Sequence, residues 1–238
     1  MRDDITAVVL AGGLGTRLRS EVADRPKVLA EVAGQPFIER IFAQLEDFGV
    51  TKVVLCVGYM ADKIEELYGT SYGSLSISYS HENTLLGTAG AVRFALKSVH
   101  TAYALVLNGD SFCSFDLNAF EDYVAERNAH AAVLLTQVDD TGRYGSVVVN
   151  ELGAITSFIE KSGAAGAGLI NAGVYLIKRS VIAEIPVGRV LSLEKDIFPS
   201  WIGRGFYGFA ASSRLFIDIG TPQSFHTAQT IFLPEVAK

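Results

Sequence analysis

A glycine-rich turn near the start of the chain could bind an anion. It follows the apolar stretch 6–10 and reads Leu10, Ala11, Gly12, Gly13, Leu14, Gly15, Thr16, Arg17. Glycines let the backbone approach an anion closely and present N–H groups to it. Lys27 comes ten residues after Arg17, so two cations stand near this turn. Such a group suits a triphosphate, because phosphoryl transfer depends on neutralising charge on the non-bridging oxygens.

Two other glycine-rich nucleotide-binding patterns do not fit this turn. A dinucleotide-binding fingerprint needs a glycine where Leu18 stands, and a P-loop needs a Gly-Lys-Ser/Thr sequence that is absent. The position of Leu18 therefore disfavours a dinucleotide-dependent oxidoreductase. A simple tight turn stays open as the structural alternative.

Two aspartates, Asp110 and Asp218, each end an apolar, strand-like stretch. A carboxylate has no packing role there, although an aspartate that caps a helix or closes a turn is the simpler alternative. Magnesium takes hard oxygen ligands, often one or two carboxylates together with phosphate oxygens and water. The two aspartates are therefore candidates for a magnesium site.

Strand-like and helix-like stretches alternate in the first half of the chain. Short apolar runs, typical of parallel strands buried on both faces, cover 6–10, 52–57, 103–108 and 131–137. Apolar residues at helical spacing predict helices over 36–48, 61–68 and 117–127. Repeated β-α-β units predict an α/β fold with a doubly wound, mostly parallel, Rossmann-like sheet in a three-layer sandwich. Ligands of such sheets bind beyond the carboxyl ends of the strands.

The second half of the chain predicts a mixed extension of this sheet. Short strands are predicted at 146–149, 155–159, 173–177, 205–210 and 215–219. No Pro/Ser-rich linker and no repeat divides the sequence. We therefore expect one domain over residues 1–238, with a nucleotide-binding half over about 1–130 and a substrate-binding half over about 131–238.

Composition excludes several classes of protein. Hydrophobic residues make up 49% and charged residues 19% of 238 residues, which argues against disorder. The net charge of −6 lacks the basic footprint of a nucleic-acid-binding protein. No stretch approaches 18 apolar residues, and no zinc-ligand spacing occurs. We expect a soluble, cytoplasmic protein without a nucleic-acid or membrane partner, and the sequence leaves open whether it forms a homo-oligomer.

The glycine-rich turn, followed by Pro26-Lys27-Val28-Leu29, resembles the signature of sugar-1-phosphate nucleotidylyltransferases. Six further motifs occur in the order of that family: Leu86-Gly87-Thr88-Ala89-Gly90, Asn108-Gly109-Asp110, Arg143-Tyr144-Gly145, Phe158-Ile159-Glu160-Lys161, Asn171-Ala172-Gly173-Val174-Tyr175 and Phe216-Ile217-Asp218-Ile219-Gly220-Thr221-Pro222. The resemblance covers about residues 5–230. Within the family, the combination is most similar to bacterial D-glycero-D-manno-heptose 1-phosphate guanylyltransferases, and next to mannose-1-phosphate guanylyltransferases.

The resemblance implies a role for each matching residue. Nucleotide binding falls to Leu10, Ala11, Gly12, Gly13, Gly15, Thr16, Arg17, Glu82, Gly87, Thr88, Asn108 and Gly109. Sugar-phosphate binding falls to Gly145, Glu160, Lys161, Asn171 and Thr221. Catalysis falls to Arg17, Lys27 and Asp110, while Asp110 and Asp218 would hold Mg²⁺. The implied substrates are GTP and a sugar 1-phosphate, and the implied products are a GDP-sugar and pyrophosphate.

Glu82 carries the expectation that the nucleotide is GTP. A carboxylate only accepts hydrogen bonds, and guanine offers two adjacent donors on one edge. Use of UTP or dTTP stays open, since the structural alternative for Glu82 is a solvated loop residue. The sequence also leaves open a heptose or a mannose 1-phosphate as the sugar. A non-catalytic nucleotide-sugar-binding regulator is less favoured, because Lys27 and both aspartates are present.

Overall fold

The computed structural model describes residues 4–142, 144, 146–159, 166–211 and 215–233. Its strands are β1 (Ile5–Leu10), β2 (Glu31–Val32), β3 (Gln35–Pro36), β4 (Lys52–Val57), β5 (Ser71–Tyr72), β6 (Leu75–His81), β7 (Tyr103–Asn108), β8 (Ser111–Cys113), β9 (Ala131–Val138), β10 (Ser146–Val149), β11 (Ile155–Ile159), β12 (Gly168–Lys178), β13 (Phe206–Ala210) and β14 (Phe216–Asp218). Its α-helices are α1 (Phe37–Asp47), α2 (Ala61–Tyr68), α3 (Gly87–Ala95), α4 (Leu117–Glu126), α5 (Arg179–Ala183), α6 (Phe198–Trp201) and α7 (Pro222–Ile231). Short 3-10 turns span Thr16–Leu18, Lys27–Leu29 and Leu96–Ser98, and a π-helical turn spans Leu193–Ile197.

One large sheet forms the centre of the fold. Strands β6, β4, β1 and β7 lie side by side and run parallel, and β12 then pairs antiparallel with β7. Beyond β12 lie β9 and β13, while the hairpin β10–β11 joins the first half of β12. The predicted α/β fold with a mostly parallel sheet and a mixed extension is therefore confirmed. The predicted strands and helices are also observed, with boundaries that differ by at most five residues.

The apolar run at 131–137 differs from its prediction in one respect. It was expected to join the other apolar runs as a parallel strand, but β12 lies between β9 and β7 and is antiparallel to both. Val174 and Leu176 pack on one face of the sheet, and Tyr175 and Ile177 pack on the other. Central strands are apolar on both faces whichever way they run, so composition alone does not give the direction of a neighbour.

Helices cover both faces of the sheet and make three layers. Successive residues of a strand point to opposite faces, so Ala7 and Val9 of β1 contact the layer of α1, α2 and α4. Val8 contacts the opposite layer, which contains α3, α5 and α6. A smaller apolar cluster lies under α7. In the part of the chain that the structure describes, no helix is both long and apolar enough to cross a membrane.

Two features of the sheet bring the site together. Leu10 lies opposite Cys56 on one side and Asn108 on the other, so β1, β4 and β7 end level with one another. The small antiparallel pair β8–β14 then places Asp218 opposite Ser111, and the Ile219 N–H donates to the Asp110 carbonyl at 2.9 Å. The two aspartates, 108 residues apart in the chain, are thereby neighbours.

Candidate active site

Two adjoining cavities open at the carboxyl ends of β1, β4 and β7. The first, of about 450 Å³, is lined by the glycine-rich turn together with Lys27, Glu82 and Thr88, and we call it the glycine-turn compartment. The second, of about 460 Å³, is lined by Asn171, Asp218 and neighbouring residues, and we call it the Asp218 compartment. The two share a wall made of Arg17, Asn108, Asp110 and Gly220. A group bound in one compartment can therefore meet a group bound in the other at this wall.

The glycine-rich turn lies at the end of a buried strand. The Ala11 N–H donates to the Cys56 carbonyl at 2.9 Å, which ties the turn to β4. All predicted residues of the turn, from Leu10 to Arg17, line the glycine-turn compartment. Leu18, where a dinucleotide-binding fingerprint needs glycine, is buried in the cluster under α7 and anchors the turn. Gly109 is placed behind the compartment, where its N–H donates to the Leu10 carbonyl at 2.9 Å.

Lys27 and Asp110 form an ion pair at the shared wall. Lys27 Nζ lies 2.6 Å from Asp110 Oδ2, and the lysine side chain is only 10% exposed, whereas the aspartate side chain is 41% exposed. The next residues, Val28 and Leu29, are buried and hold the short turn that carries the lysine. The cation is thus fixed in place while the carboxylate faces the cavities.

Asp218 is held on both of its oxygens. Oδ2 accepts from the Tyr144 hydroxyl at 2.8 Å, while Oδ1 accepts from the Gly220 N–H at 2.8 Å and from Ser224 Oγ at 3.2 Å. Gly220 brings the charged groups together. A Cβ at this position would lie 2.7 Å from Asp218 Oδ1, 3.5 Å from Lys27 Nζ and 3.7 Å from an Arg17 guanidinium nitrogen.

The two aspartates fit a divalent cation. Both line the Asp218 compartment and offer hard carboxylate oxygens, Asp218 from the end of β14 and Asp110 from the turn directly before its partner strand β8. Among the described residues, no group of three or more acidic, histidine or cysteine side chains forms a complete metal site. The remaining ligands of an ion held here would therefore be phosphate oxygens and water, as is usual for Mg²⁺.

Glu82 lies on the wall of the glycine-turn compartment. Its Oε2 accepts from the Leu86 N–H at 2.7 Å, so the carboxylate is held against the turn that leads into α3. Burial raises the pKa of the Glu82 carboxyl, and the bond from the Leu86 N–H offsets part of this rise. Gly87 and Thr88, also predicted to bind nucleotide, line the same compartment.

The predicted sugar-side residues are placed in part. Asn171 and Thr221 line the Asp218 compartment, whereas Gly145, Glu160 and Lys161 lie outside the described residues. Thr221 also caps α7, since its Oγ1 accepts from the Ser224 N–H at 3.2 Å. Asn171 is fixed at both ends of its amide. Its Nδ2 donates to the Tyr175 hydroxyl at 2.9 Å, and its Oδ1 accepts from the Gly173 N–H at 2.9 Å.

Sequence reasoning missed several residues of the Asp218 compartment. Tyr144, Ser192, Glu194 and Lys195 line it, and none of them was assigned a role. Tyr144 stands inside the motif Arg143-Tyr144-Gly145, so that motif carried a signal for it. Glu194 lies on a π-helical turn, which has no pattern of spacing in the sequence that would reveal it.

Comparison with protein families matches residues 6–234 to nucleotidyl transferases. The chain belongs to this family. Nucleotidyl transferases of this family generally use a divalent metal ion. The resemblance seen in the sequence motifs is therefore confirmed over nearly the whole chain.

Two relatives of similar length are named guanylyltransferases. The D-glycero-alpha-D-manno-heptose 1-phosphate guanylyltransferase of Aneurinibacillus thermoaerophilus is 35% identical over 94% of this chain and 96% of its own. The enzyme of the same name from Campylobacter jejuni is also 35% identical, over 92% of this chain and 96% of its own. The mannose-1-phosphate guanylyltransferase of Mycobacterium tuberculosis is 33% identical over 93% of this chain but only 62% of its own.

A solved structure has the same fold. The HddC protein of Yersinia pseudotuberculosis, crystallised in complex with GMP-PN, superposes with a TM-score of 0.84 at 33% sequence identity. The superposition covers 95% of this chain and 99% of HddC. This chain therefore shares its fold with a protein that was solved in complex with GMP-PN.

Proposed function

We propose that this chain is a guanylyltransferase that joins GTP and D-glycero-α-D-manno-heptose 1-phosphate, releasing GDP-heptose and pyrophosphate. The observation that carries the proposal is the pair of compartments with one shared wall. A triphosphate in the glycine-turn compartment would place its α-phosphate at this wall. A sugar phosphate in the Asp218 compartment would reach it from the other side.

The reaction needs no covalent intermediate with the protein. A phosphate oxygen of the sugar 1-phosphate attacks the α-phosphorus of GTP in line, and the bond between the α- and β-phosphates breaks. Catalysis is then positioning and stabilisation of charge. Arg17 and the N–H groups of the glycine-rich turn would hold the leaving pyrophosphate. Lys27, fixed at the wall, would neutralise charge as it builds on the α-phosphate.

Asp110 and Asp218 would hold Mg²⁺. When bound, this ion would screen the phosphate charges and align the two reacting groups. Lys27 is already paired with Asp110 Oδ2, so one oxygen of that carboxylate serves the lysine and the other is left for the ion. Tyr144 and Gly220 orient the Asp218 carboxylate toward the compartment. Lys161 and Glu160, which follow β11 in the sequence, are proposed to bind the sugar phosphate and the sugar.

The choice of GTP is supported by Glu82 and by the relatives. Glu82 Oε1 receives no hydrogen bond from the described residues, and Oε2 receives one. The carboxylate can therefore accept from the N1–H and the exocyclic amine of guanine, whereas uracil offers one donor on that edge. The relatives of matching length are named guanylyltransferases, and HddC was solved with GMP-PN.

A substrate matrix tests the proposal. Purified protein with Mg²⁺ is given each of four nucleoside triphosphates against heptose, mannose and glucose 1-phosphates, and pyrophosphate release is measured. We expect the highest kcat/KM for GTP with the heptose 1-phosphate, and a smaller preference for GTP over UTP in Glu82→Gln. Equal or better use of UTP or dTTP by the unchanged protein would contradict the assignment of the base.

The same matrix separates two alternatives. A mannose-1-phosphate guanylyltransferase would prefer the mannose substrate, a function named for relatives that are considerably longer than this chain. A regulator that only binds nucleotide sugars would release no pyrophosphate with any pair, yet would bind a GDP-sugar in calorimetry. The Lys27–Asp110 pair at the shared wall favours a catalytic role over that of a binding-only regulator.

A further inference from the structure

The carboxylate of Glu194 is bonded to the walls of both compartments. Its Oε2 accepts from Thr88 Oγ1 at 3.0 Å and from Ser192 Oγ at 2.7 Å, and its Oε1 accepts from the Tyr175 hydroxyl at 3.2 Å. Thr88 lines the glycine-turn compartment, whereas Glu194 and Ser192 line the Asp218 compartment. One side chain thus connects the two sides of the site.

The direction of these hydrogen bonds is fixed by their other partners. Thr88 Oγ1 accepts from the Leu193 N–H at 2.7 Å, so its single proton is left for Glu194. The Tyr175 hydroxyl accepts from Asn171 Nδ2 and likewise donates to Glu194. Complete burial, with the Glu194 charge as a second cause, raises the pKa of Tyr175 well above its ordinary value, so the phenol keeps its proton.

The hydrogen bonds continue from Tyr175 to Asn171, a second residue of the Asp218 compartment. Asn171 lines this compartment. Its Nδ2 donates to the Tyr175 hydroxyl, and its Oδ1 accepts from the Gly173 N–H. This amide is therefore bonded to the Tyr175 hydroxyl, which is in turn bonded to Glu194. A continuous chain of Thr88, Glu194, Tyr175 and Asn171 runs from one cavity to the other.

The backbone reinforces this connection. The Leu191 N–H donates to the Leu86 carbonyl at 2.8 Å, and the Ala89 N–H donates to the Leu191 carbonyl at 2.9 Å. Gly87 has a φ of +71°, and a Cβ there would lie 2.5 Å from the Leu191 oxygen. The turn that carries Thr88 and the segment that carries Glu194 therefore pack with no space between them. Glu194 itself lies on a π-helical turn, a conformation that is frequent at functional sites.

We propose that Glu194 is a positioning residue that couples the two compartments, so that binding of the nucleotide raises the affinity for the sugar phosphate and the reverse. This inference rests on the proposed function of the same site. Ordering of Thr88 by a bound nucleotide would fix Glu194, and through Tyr175 the amide of Asn171. Because coupling between two sites is reciprocal, a bound sugar phosphate would tighten nucleotide binding by the same factor.

The coupling is measured with a nucleotide that cannot react. The α,β-methylene analogue of GTP binds without releasing pyrophosphate, and its Kd is determined by calorimetry with and without saturating heptose 1-phosphate. We expect the unchanged protein to bind the analogue about fivefold or more tightly when the sugar phosphate is present. In Thr88→Val and Glu194→Gln this ratio should fall to about one. Thr88→Ser, which keeps the hydroxyl, should retain it.

The double variant Thr88→Val/Glu194→Gln gives a second readout. If the two residues act as one unit, its KM for the sugar phosphate should be no higher than that of the worse single variant. Asp196→Asn is the matched control, since Asp196 accepts from the Ser192 N–H on the same turn but touches neither Thr88 nor Tyr175. Thermal melting of each variant shows that the fold is kept.

Three results would overturn the coupling. They are a ratio near one in the unchanged protein, a ratio that survives Thr88→Val, and additive effects in the double variant. Failure of the proposed function gives a different result, because the unchanged protein would then bind no guanine analogue or would release no pyrophosphate from GTP with any sugar 1-phosphate.

Discussion

Lys27 is held at the shared wall by an ion pair with Asp110, at 2.6 Å. Lys27→Met keeps the length of the side chain and removes its charge. We expect kcat to fall by about a hundredfold or more, because a fixed charge counts most where charge develops in the transition state. The KM for GTP should change far less. Steady-state kinetics with varied GTP measures both values.

The exposed Lys97, which lies over the Phe94 ring and lines neither compartment, offers a matched control. Lys97→Met should leave kcat and KM unchanged. An effect of Lys27→Met confined to the KM for GTP would mean that the lysine binds substrate and contributes nothing specific to the transition state.

Asp218 tests the two-carboxylate metal site. Asp218→Asn keeps the volume of the side chain and the acceptor for the Gly220 N–H, but removes the negative charge. We expect turnover to fall by about a hundredfold, and the Mg²⁺ concentration for half-maximal rate to rise, because one charged ligand is lost. A Mg²⁺ titration of the rate measures this. Near-normal turnover at limiting Mg²⁺ would exclude Asp218 as a ligand.

Glu82 makes the choice of base depend on pH. Burial raises the pKa of this carboxyl above its ordinary value of 4.5, so it takes up a proton at a higher pH than an exposed glutamate would. The protonated group cannot accept from both guanine donors. We expect kcat/KM for GTP to fall as the pH drops toward this raised pKa, and we expect no such decrease in Glu82→Gln. The same decrease at low pH in both proteins would mean that another group causes it.

The same pKa shift predicts an effect on stability. Folding favours the protonated form of Glu82, because its pKa is higher in the folded than in the unfolded state. The charged carboxylate therefore lowers the free energy of unfolding at a pH above the raised pKa. This destabilisation disappears below the ordinary pKa, where Glu82 is protonated in both states. Glu82→Gln should therefore melt at a temperature equal to or higher than that of the unchanged protein at neutral pH. The difference should vanish in acid, which thermal melting across a pH series measures.

Among the elements, β12 is the strand that shapes the shared wall. It is interrupted at Gly173, where the pairing with β9 shifts register and φ is +77°. A Cβ there would lie 2.7 Å from Ser111 Oγ and 2.8 Å from Asn108 Nδ2. The strand can thus approach the loop after β7 only because residue 173 is a glycine.

Gly173→Ala should therefore reduce both stability and turnover. We expect a loss of more than about 1 kcal/mol in the free energy of unfolding from the positive φ. Displacement of Asn108 and Ser111 should lower kcat as well. Gly203→Ala is the control, because Gly203 has a φ of +79° with no atom near its Cβ. It should lose similar stability and keep its activity, as urea unfolding and kinetics will measure.

At the scale of elements, the sequence predicts helices and strands better than it predicts which strands pair with each other. The strands at 52–57 and 103–108 and the helix at 61–68 are observed with the predicted boundaries, because each has a clear apolar period and a clear stop. Helix α3 was not predicted as a helix, since Ala89, Gly90 and Ala91 are small and bury on nearly every side. The position of β12 between β7 and β9, antiparallel to both, is not predictable from the sequence either, because the pairing of strands follows from tertiary packing.

For the whole molecule, the two halves of the chain share one core. Val8 and Val106 of the first half pack in the same cluster as Val133, Tyr175 and Phe198 of the second. The charged part of the site was predictable from motifs, because glycine turns, lysines and strand-end aspartates are chemically distinctive. The positions of Glu194 and Ser192 were not, because Glu194 is bonded to Thr88, 106 residues away in the chain, and Ser192 is bonded to Glu194.

We therefore expect residues 1–130 alone not to fold cooperatively. That fragment would expose the apolar face of α3 and leave the edge of β7 unpaired, which favours aggregation. Circular dichroism melting and size-exclusion chromatography of the fragment test this, with the full chain as reference. A monomeric fragment with a sharp melting transition would instead assign the two halves to separate domains.

The pairing of β7 with β12 also has a consequence for synthesis on the ribosome. Tyr103 lies opposite Lys178, so about 75 further residues must be translated before that strand finds its partner. At ordinary elongation rates this takes from about 4 to 15 seconds. During that interval the nascent chain presents an open strand edge, so the yield of folded protein should depend on chaperones and on translation speed more than its final stability would suggest.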